Sequence, residues 1–280
     1  MMNEEILKID SVTKVFRTKA GEIAALKEVS FSIAKKEFVC ILGPSGCGKS
    51  TLLAIIAGLE APTVGKVLLD GKLVTAPGVD RGMVFQTDYL FPWLSVFDNV
   101  CFGLNLRVNR RRLSPSDKQA FLDRCLCLLD LVGLSQFKDT YPKELSGGMR
   151  QRVALVRALV NQPKVLLMDE PFGALDAQTR EEMQELLLTI REQQGTTVLF
   201  VTHDVKEAIF LADRILVMRA HPGKIVGEVL VSLPKVRNRE IVLDASFQSI
   251  QKEVLKLLYH RAWKMISDHN LNKIAYSQKR

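Results

Sequence analysis

One nine-residue stretch, GPSGCGKST at residues 43–51, restricts the folds open to this chain more than any other feature. The run that leads into it, FVCILG, is short and continuously apolar, which is typical of a strand buried on both faces. The run that follows, TLLAIIAGL, has the apolar spacing of a helix that packs on a core. The order of strand, glycine-rich loop and helix predicts an α/β fold.

The glycine-rich stretch also matches the pattern G-x-x-x-x-G-K-[ST] of a phosphate-binding loop. Small residues let backbone N–H groups point at phosphate oxygens, and the following helix adds the positive end of its dipole. We expect Lys49 to reach the β- and γ-phosphate oxygens and the Ser50 hydroxyl to bind Mg²⁺. The predicted nucleotide contacts in this loop are Gly43, Pro44, Ser45, Gly46, Cys47, Gly48, Lys49, Ser50 and Thr51.

The remaining chain alternates strands and helices, with one interruption. Residues 1–40 show the alternating pattern of half-buried strands, and residues 94–140 become leucine-rich with helical spacing, which predicts an inserted helical region. Strand and helix patterns alternate again over residues 165–220. Near the end of the chain, an amphipathic helix is predicted at about residues 246–266.

Two adjacent acids follow the buried strand pattern VLLMDE. Asp169 would meet Mg²⁺ directly or through water, and Glu170 would polarise the attacking water. Taken alone, the same pair could equally cap a helix. Beside a phosphate loop, the pair predicts hydrolysis of a nucleoside triphosphate.

The composition is that of a soluble globular protein, with 47% hydrophobic and 25% charged residues. The N-terminus MMNEEILKID is acidic and no run of eighteen apolar residues occurs, so we expect a cytosolic chain without a membrane span. The five cysteines show no paired spacing and are expected to be reduced thiols. Seven of the eight net positive charges fall in residues 219–280, which could attract anionic lipid or nucleic acid, although a solvated helix surface is the preferred interpretation.

Six motifs stand in one order along the chain: GPSGCGKST, Gln86, LSGGMRQ, VLLMDE, ALD and VTHD. Together they resemble the nucleotide-binding subunit of an ATP-binding cassette (ABC) transporter, over about residues 6–237. The resemblance implies a P-loop NTPase (RecA-like) α/β core with an antiparallel β subdomain, and a helical signature subdomain inserted at about residues 90–150. We therefore expect an ATPase domain over residues 1–237 and a basic helical tail over residues 238–280.

The segment LSGGMRQ has a distinctive role in that family. It begins a helix that faces the γ-phosphate of an ATP held by a second subunit, so the resemblance implies a homodimer in the ATP-bound state. Ser146, Gly147 and Gly148 would offer hydroxyl and backbone N–H donors across the interface. The implied cofactors are ATP and Mg²⁺.

The resemblance assigns a role to four further positions. Phe16 corresponds to the aromatic residue that stacks on adenine, although it could be an ordinary strand aromatic. Gln86 corresponds to the residue that contacts Mg²⁺ or the water and senses the membrane partner, and Asp176 to the loop that signals between the two sites. His203 corresponds to the histidine that contacts the γ-phosphate and helps hold the attacking water. The expected catalytic residues are thus Lys49, Gln86, Glu170 and His203, and the expected metal ligands are Ser50, Gln86 and Asp169.

An aromatic segment after Gln86, TDYLFPWLSVFDNV, indicates what the ATPase drives. The family uses this region as the groove for a coupling helix of a membrane subunit, so we expect permease subunits to dock near Tyr89, Phe91 and Trp93. The alternative is that several of the rings, including Phe97, pack inside the helical subdomain, and we expect this for at least two of them.

The stretches DEPFGALDAQTR, FPWLSV and HPGKIVGEVLVSLPKVRNRE resemble the importer branch for nitrate, sulfonates and taurine. This implies an ATP-hydrolysing subunit that energises uptake of a small anion, such as taurine, an alkanesulfonate or nitrate, with bicarbonate or a vitamin precursor as open alternatives. A partner permease and, indirectly, an extracytoplasmic solute-binding protein would supply specificity. The subunit would lie peripherally on the cytoplasmic face of the plasma (inner) membrane.

The competing interpretation is a soluble ABC ATPase that acts on nucleic acid or the ribosome, which only the basic tail favours. The chain carries one cassette and no long coiled-coil insertion, so we expect no nucleic-acid partner. A kinase or GTPase with the same phosphate loop would not account for LSGGMRQ and VTHD.

Overall fold

The structure is a computed structural model that describes residues 4–19, 21–110 and 114–259. The strands are β1 (Glu5–Thr18), β2 (Gly21–Ala34), β3 (Phe38–Leu42), β4 (Val64–Leu69), β5 (Lys72–Leu73), β6 (Arg81–Val84), β7 (Val165–Asp169), β8 (Thr197–Thr202), β9 (Arg214–Arg219) and β10 (Lys224–Leu230). The helices are α1 (Lys49–Ala57), α2 (Val96–Arg110), α3 (Pro115–Leu131), α4 (Gly147–Leu159), α5 (Ala177–Gln194) and α6 (Val205–Leu211). Residues 245–259, at the end of the described chain, are also helical.

The first of two sheets is antiparallel, with strand order β2-β1-β4-β5. The long strands β1 and β2 alternate apolar and polar residues, so one face turns apolar side chains such as Leu7, Val12 and Ile33 into the core. This is the antiparallel β subdomain that the family resemblance implies.

The second sheet has six strands in the order β10-β9-β3-β8-β7-β6. Neighbouring strands run parallel from β9 through β6, and β10 pairs antiparallel with β9 at the edge. The sequence pattern does not predict β10, because KIVGEVL has only one buried residue, Val229, and is interrupted by Gly227.

Both faces of the six-stranded sheet are apolar. In β3, the side chains of Phe38, Cys40 and Leu42 pack on one face, whereas those of Val39 and Ile41 pack on the other. This alternation explains the continuous apolar run in the sequence, because a strand covered on both faces needs an apolar residue at every position.

The inserted helical region contains α2, α3 and the start of α4. A capping box begins α3, in which the Ser114 hydroxyl accepts a hydrogen bond from the Asp117 backbone N–H and the Asp117 carboxylate accepts one from the Ser114 backbone N–H. Residues 111–113, between α2 and α3, lie outside the described part of the chain.

The C-terminal segment packs against the body of the protein. Phe247, Ile250 and Val254 are buried in the same hydrophobic cluster as α5 and α6, and the Arg237 guanidinium donates to carbonyl oxygens at the end of α6. The helix predicted at residues 246–266 is present up to residue 259, and its remainder lies outside the described residues. The domain boundary at residue 237 stays a prediction.

Candidate functional site

Four of the six sequence motifs, the phosphate loop, Gln86, VLLMDE and VTHD, follow or end neighbouring strands at the carboxyl edge of the parallel sheet. β3, β8, β7 and β6 are consecutive neighbours, with Leu42 opposite Thr202 and Asp169 opposite Val201. The phosphate loop follows β3, His203 follows β8 and Glu170 follows β7. Side chains that are far apart in sequence are thus brought to one edge, where ligands bind in open α/β sheets.

The phosphate loop connects β3 to α1 through a backbone that requires glycine. Gly48 has φ 95°, and a Cβ there would lie 2.8 Å from the Ala25 carbonyl oxygen. The Lys49 side chain is 4% exposed and its Nζ donates to the Gly43 and Pro44 carbonyl oxygens, at 2.9 and 3.0 Å. The loop therefore holds the cation at its centre, as phosphate binding requires.

Ser50 and Asp169 are in direct contact. The Ser50 Oγ donates to the Asp169 Oδ1 over 3.0 Å, which joins the first turn of α1 to the end of β7. Burial raises the pKa of Asp169 above its ordinary value, and the hydrogen bond from Ser50 opposes the shift. A hydroxyl and a carboxylate oxygen side by side form the oxygen donor set that Mg²⁺ prefers.

Glu170 lies between two functional side chains. Its carboxylate is 3.3 Å from the Lys49 Nζ and 2.8 Å from the His203 Nδ1. Glu170 has a φ of 43°, a left-handed conformation that is uncommon outside glycine and that often marks functional positions. The structure thus brings together Lys49, Glu170 and His203.

A cavity of 440 Å³ opens beside these residues. It is lined by the phosphate loop, β2, Gln86, Glu170 and His221, which places Gln86 beside the phosphate loop. His221 received no role from the sequence, because the turn after β9 carries no motif. Its position follows from backbone hydrogen bonds that tie Gly223 to the Ala25 and Lys27 positions of β2.

Phe16 does not line this cavity. It lies on β1 opposite Ile23, which does line the cavity, and its ring is 37% exposed with the Lys14 Nζ 4.9 Å from its centroid. Phe16 is therefore at the margin of the site.

The signature turn lies outside the cavity lining as well. The Ser146 hydroxyl caps α4 by accepting from the Met149 N–H at 3.3 Å, Gly147 is exposed, and Gly148 is buried against Thr179. Asp176 caps α5 in the same way, and its hydrogen bonds with Thr179 lower the pKa of Asp176. None of Ser146, Gly147, Gly148 and Asp176 lines the cavity beside the phosphate loop.

The aromatic segment after Gln86 is partly exposed. The side chains of Tyr89 and Trp93 are 64% and 71% exposed, whereas Phe91 and Phe97 are half-buried. Two of the four rings thus pack inward, as expected. The Asn99 side chain holds this segment in place. Its Oδ1 accepts a hydrogen bond from the Phe91 N–H, and its Nδ2 donates one to the Phe91 carbonyl oxygen.

Comparison with known proteins decides the family. The sequence model of the ABC transporter family matches residues 26–173 of this chain. The chain belongs to the ABC transporter family. As an ABC ATPase it binds ATP and hydrolyses it to ADP and phosphate.

The ABC ATPase is similar to importer subunits over most of its length. The nitrate import ATP-binding protein NrtD of Synechocystis sp. is 48% identical over 261 residues, which cover 91% of this chain and 96% of that protein. The aliphatic sulfonates import ATP-binding protein SsuB of Bacillus cereus is 46% identical over 250 residues, which cover 89% and 94%. The ATP-binding cassette MJ0796, in a dimeric post-hydrolysis state bound to ADP and Pi, has a TM-score of 0.69 and 36% identity over 82% of this chain and 100% of that one.

Proposed function

We propose that this ABC ATPase energises the uptake of a small anion through a partner permease. The observation that carries the proposal is the convergence of Lys49, Asp169, Glu170 and His203 at one edge of the sheet, combined with a signature turn that does not line the cavity there. The phosphate loop can bind ATP within one chain, and the signature turn of a second subunit completes the site, as in an importer subunit.

We assign the catalytic roles from the contacts. Lys49 binds the β- and γ-phosphate oxygens, because the loop carbonyls hold its ammonium group at the centre of the phosphate loop. Glu170 accepts a proton from the attacking water, and His203 orients that water and the γ-phosphate. Gln86 contacts the water or the metal from the cavity wall, and Phe16 covers the adenine at the margin.

Ser50, Asp169 and Gln86 would hold Mg²⁺. The contact between the Ser50 hydroxyl and the Asp169 carboxylate fits a cation that binds few protein oxygens and takes its other ligands from phosphates and water. When bound, the ion neutralises charge on the phosphate oxygens.

The catalytic site is completed in a homodimer. Ser146, Gly147 and Gly148 of one subunit bind the γ-phosphate of the ATP held by the other, and Asp176 links the two sites. Support comes from the exposed α4 N-terminus and from the likeness to the dimeric cassette MJ0796. ATP favours the closed dimer because it contacts both subunits there.

The permease docks at the exposed rings of Tyr89 and Trp93 with Phe91 beneath them, so the subunit is peripheral to the cytoplasmic face of the plasma (inner) membrane. In the described residues, no helix is both long enough and apolar enough to cross a membrane. An extracytoplasmic solute-binding protein delivers the solute to the permease.

The transported solute is an oxyanion, either nitrate or an organic sulfonate such as taurine. The support is the similarity to the nitrate and aliphatic sulfonates import proteins, at 48% and 46% identity. The competing interpretation, a soluble ATPase that acts on nucleic acid or the ribosome, is not favoured by these relatives.

The dimer is tested with Glu170→Gln. The turnover rate of this variant should fall by about 100-fold or more, because it lacks the general base. Its binding of ATP should be retained. Light scattering should detect a dimer with ATP–Mg²⁺ and a monomer with ADP. A variant that binds ATP and yet stays monomeric at every concentration tested, with or without the permease, contradicts the composite site.

The importer role is tested by uptake. Source cells that carry either the wild type or Glu170→Gln in place of the native copy are given labelled nitrate, taurine and an alkanesulfonate. If cells with the variant lose uptake of one solute only, the result supports the proposal and identifies the substrate. Unchanged uptake of all three, in cells without a second transporter for them, contradicts it.

A further inference from the structure

Two buried cysteines on different helices lie in contact. The Cys101 Sγ on α2 and the Cys125 Sγ on α3 are 3.2 Å apart, and the two residues are 8% and 0% exposed. The chain between them spans 24 positions, so the contact joins two elements rather than two turns of one helix. A disulfide bond measures about 2.05 Å, so a relative movement of roughly 1 Å would connect the two sulfur atoms.

The surroundings suit a disulfide better than a metal. Both cysteines belong to the hydrophobic cluster on the helical side of the sheet, where an S–S bond without polar hydrogens is readily buried. Within the described ranges, no group of three or more His, Cys, Asp or Glu residues could hold a metal ion. The two cysteines are therefore arranged as a dithiol and not as a metal site.

We propose that Cys101 and Cys125 form a reversible redox site, at which a peroxide joins α2 to α3 through a disulfide bond. In the first step, the thiolate of Cys125 attacks one peroxide oxygen, the O–O bond breaks, and a sulfenic acid and hydroxide form. In the second step, the Cys101 sulfur attacks the sulfenic sulfur, the S–O bond breaks, and the S–S bond forms. The thiol protons leave with the two oxygens as water, and the two electrons reduce the peroxide.

The electrostatics of the pair agree with this order of events. The S–H of Cys101 donates a hydrogen bond to the Cys125 sulfur, which lowers the pKa of Cys125 and raises the pKa of Cys101. Cys125 is therefore the attacking sulfur and Cys101 the resolving one. Because both thiols are buried, the reaction requires local opening and should be slower than a reaction of the exposed Cys127.

The disulfide would act on the surface proposed for the permease. α2 carries Asn99, which holds the Phe91 backbone, and Phe102, whose ring centroid is 4.4 Å from that of Phe91. A disulfide bond between α2 and α3 would restrict the movement of α2, which supports the aromatic segment. Oxidation would thus make this segment more rigid.

The test uses the full chain with Cys127→Ser, which leaves the buried pair intact. The folded protein is treated with hydrogen peroxide, free thiols are alkylated after unfolding, and peptides are analysed by mass spectrometry. We expect a linked Cys101–Cys125 peptide pair, lighter by about 2 Da than the two reduced peptides, that separates with dithiothreitol. Hydrogen exchange over residues 96–104 should slow after oxidation.

Cys101→Ala is the matched control, since it should show neither the linked peptide nor the slower exchange. A second control repeats the oxidation in denaturant. The proposal is overturned if Cys101 and Cys125 remain alkylated separately after peroxide treatment of the folded chain. It is also overturned if the link forms only in denaturant, or if exchange slows equally in Cys101→Ala.

Discussion

The two glycines of the signature turn differ in the space around them. A Cβ at Gly148 would clash with the Thr179 Cγ2 on α5, whereas a Cβ at Gly147 would be 3.6 Å from the nearest heavy atom, the Leu175 Cδ2. Gly148 therefore serves the packing of α4 on α5, in addition to any contact with nucleotide. Gly147 is exposed and has no such packing requirement.

We predict that Gly148→Ala lowers the free energy of unfolding by about 1–3 kcal/mol through overpacking. Thr179→Ser removes the clashing methyl group and should restore most of the loss, so the two changes should be non-additive. Chemical denaturation of both single variants and the double variant measures this. Gly147→Ala is the control and should unfold like the wild type; equal losses for both glycines would mean that the clash is not the cause.

Glu207 is a buried carboxyl group that the proposed chemistry does not use. It is 7% exposed, and burial raises the pKa of Glu207 although hydrogen bonds from Thr202 and Gln184 oppose the shift. The folded state then binds the proton more tightly than the unfolded state, so this contribution to stability is complete below the unfolded pKa of about 4.3 and is lost as pH rises through the raised folded pKa.

We predict that Glu207→Gln removes this pH dependence, because the amide stays neutral and can still accept the hydrogen bond from Gln184. Its thermal midpoint should equal or exceed that of the wild type at pH 8 and lose that advantage by pH 5. Melting curves across this range provide the measurement, with the exposed Glu240→Gln as control. A midpoint lower than the wild type at every pH would show that the charge is required.

At the scale of elements, the helix that begins at the signature turn also holds the aromatic segment. Arg157 on α4 donates to the carbonyl oxygens of Asp88 and Tyr89, each at 2.9 Å, and its guanidinium is 5.7 Å from the centroid of Phe91. Arg150, one turn after the N-terminus of α4, donates to the Asp88 carboxylate at 2.9 Å. α4 and the segment after Gln86 are therefore one packed unit.

We predict that Arg157→Ala speeds hydrogen exchange of the peptide over residues 88–91 by about tenfold or more, equivalent to roughly 1.4 kcal/mol. Arg157→Lys should be intermediate, since a single ammonium group does not reproduce the planar fork. Arg152→Ala, on the same helix but bonded to Val132 and Glu182, is the control. The interpretation is wrong if exchange rises equally in the Arg152 variant.

The sequence predicts the elements that have a clear hydrophobic pattern or a motif. It does not predict the elements whose position depends on pairing with a neighbouring strand. β3, β7 and β8 are predictable because full burial on both faces demands continuous apolar runs. β10 is not, because an edge strand with mixed burial is fixed by its pairing with β9. His221 lines the cavity because backbone hydrogen bonds of Gly223 tie the turn after β9 to β2. Hydrogen bonds of this kind leave no pattern in the local sequence.

For the whole molecule, the proposed function needs two surfaces at once: the nucleotide site at the sheet edge and the docking surface on the helical region. In the proposed dimer, contacts from α4 join the signature turn, which binds the partner's nucleotide, to the docking surface. Because Tyr89 and Trp93 contribute little to the core, substitutions there should separate catalysis from assembly.

We predict that Trp93→Ala leaves the ATPase activity of the isolated subunit within about twofold of wild type and weakens permease assembly by about 30-fold, the usual effect of removing a central aromatic anchor worth about 2 kcal/mol. Steady-state turnover and co-purification with the permease measure the two quantities separately. Tyr259→Ala, which removes a ring that is 53% exposed on the C-terminal helix, is the matched control and should change neither. If Trp93→Ala reduces turnover and assembly to the same extent, the ring supports the fold of the helical region, and docking must be assigned to another surface.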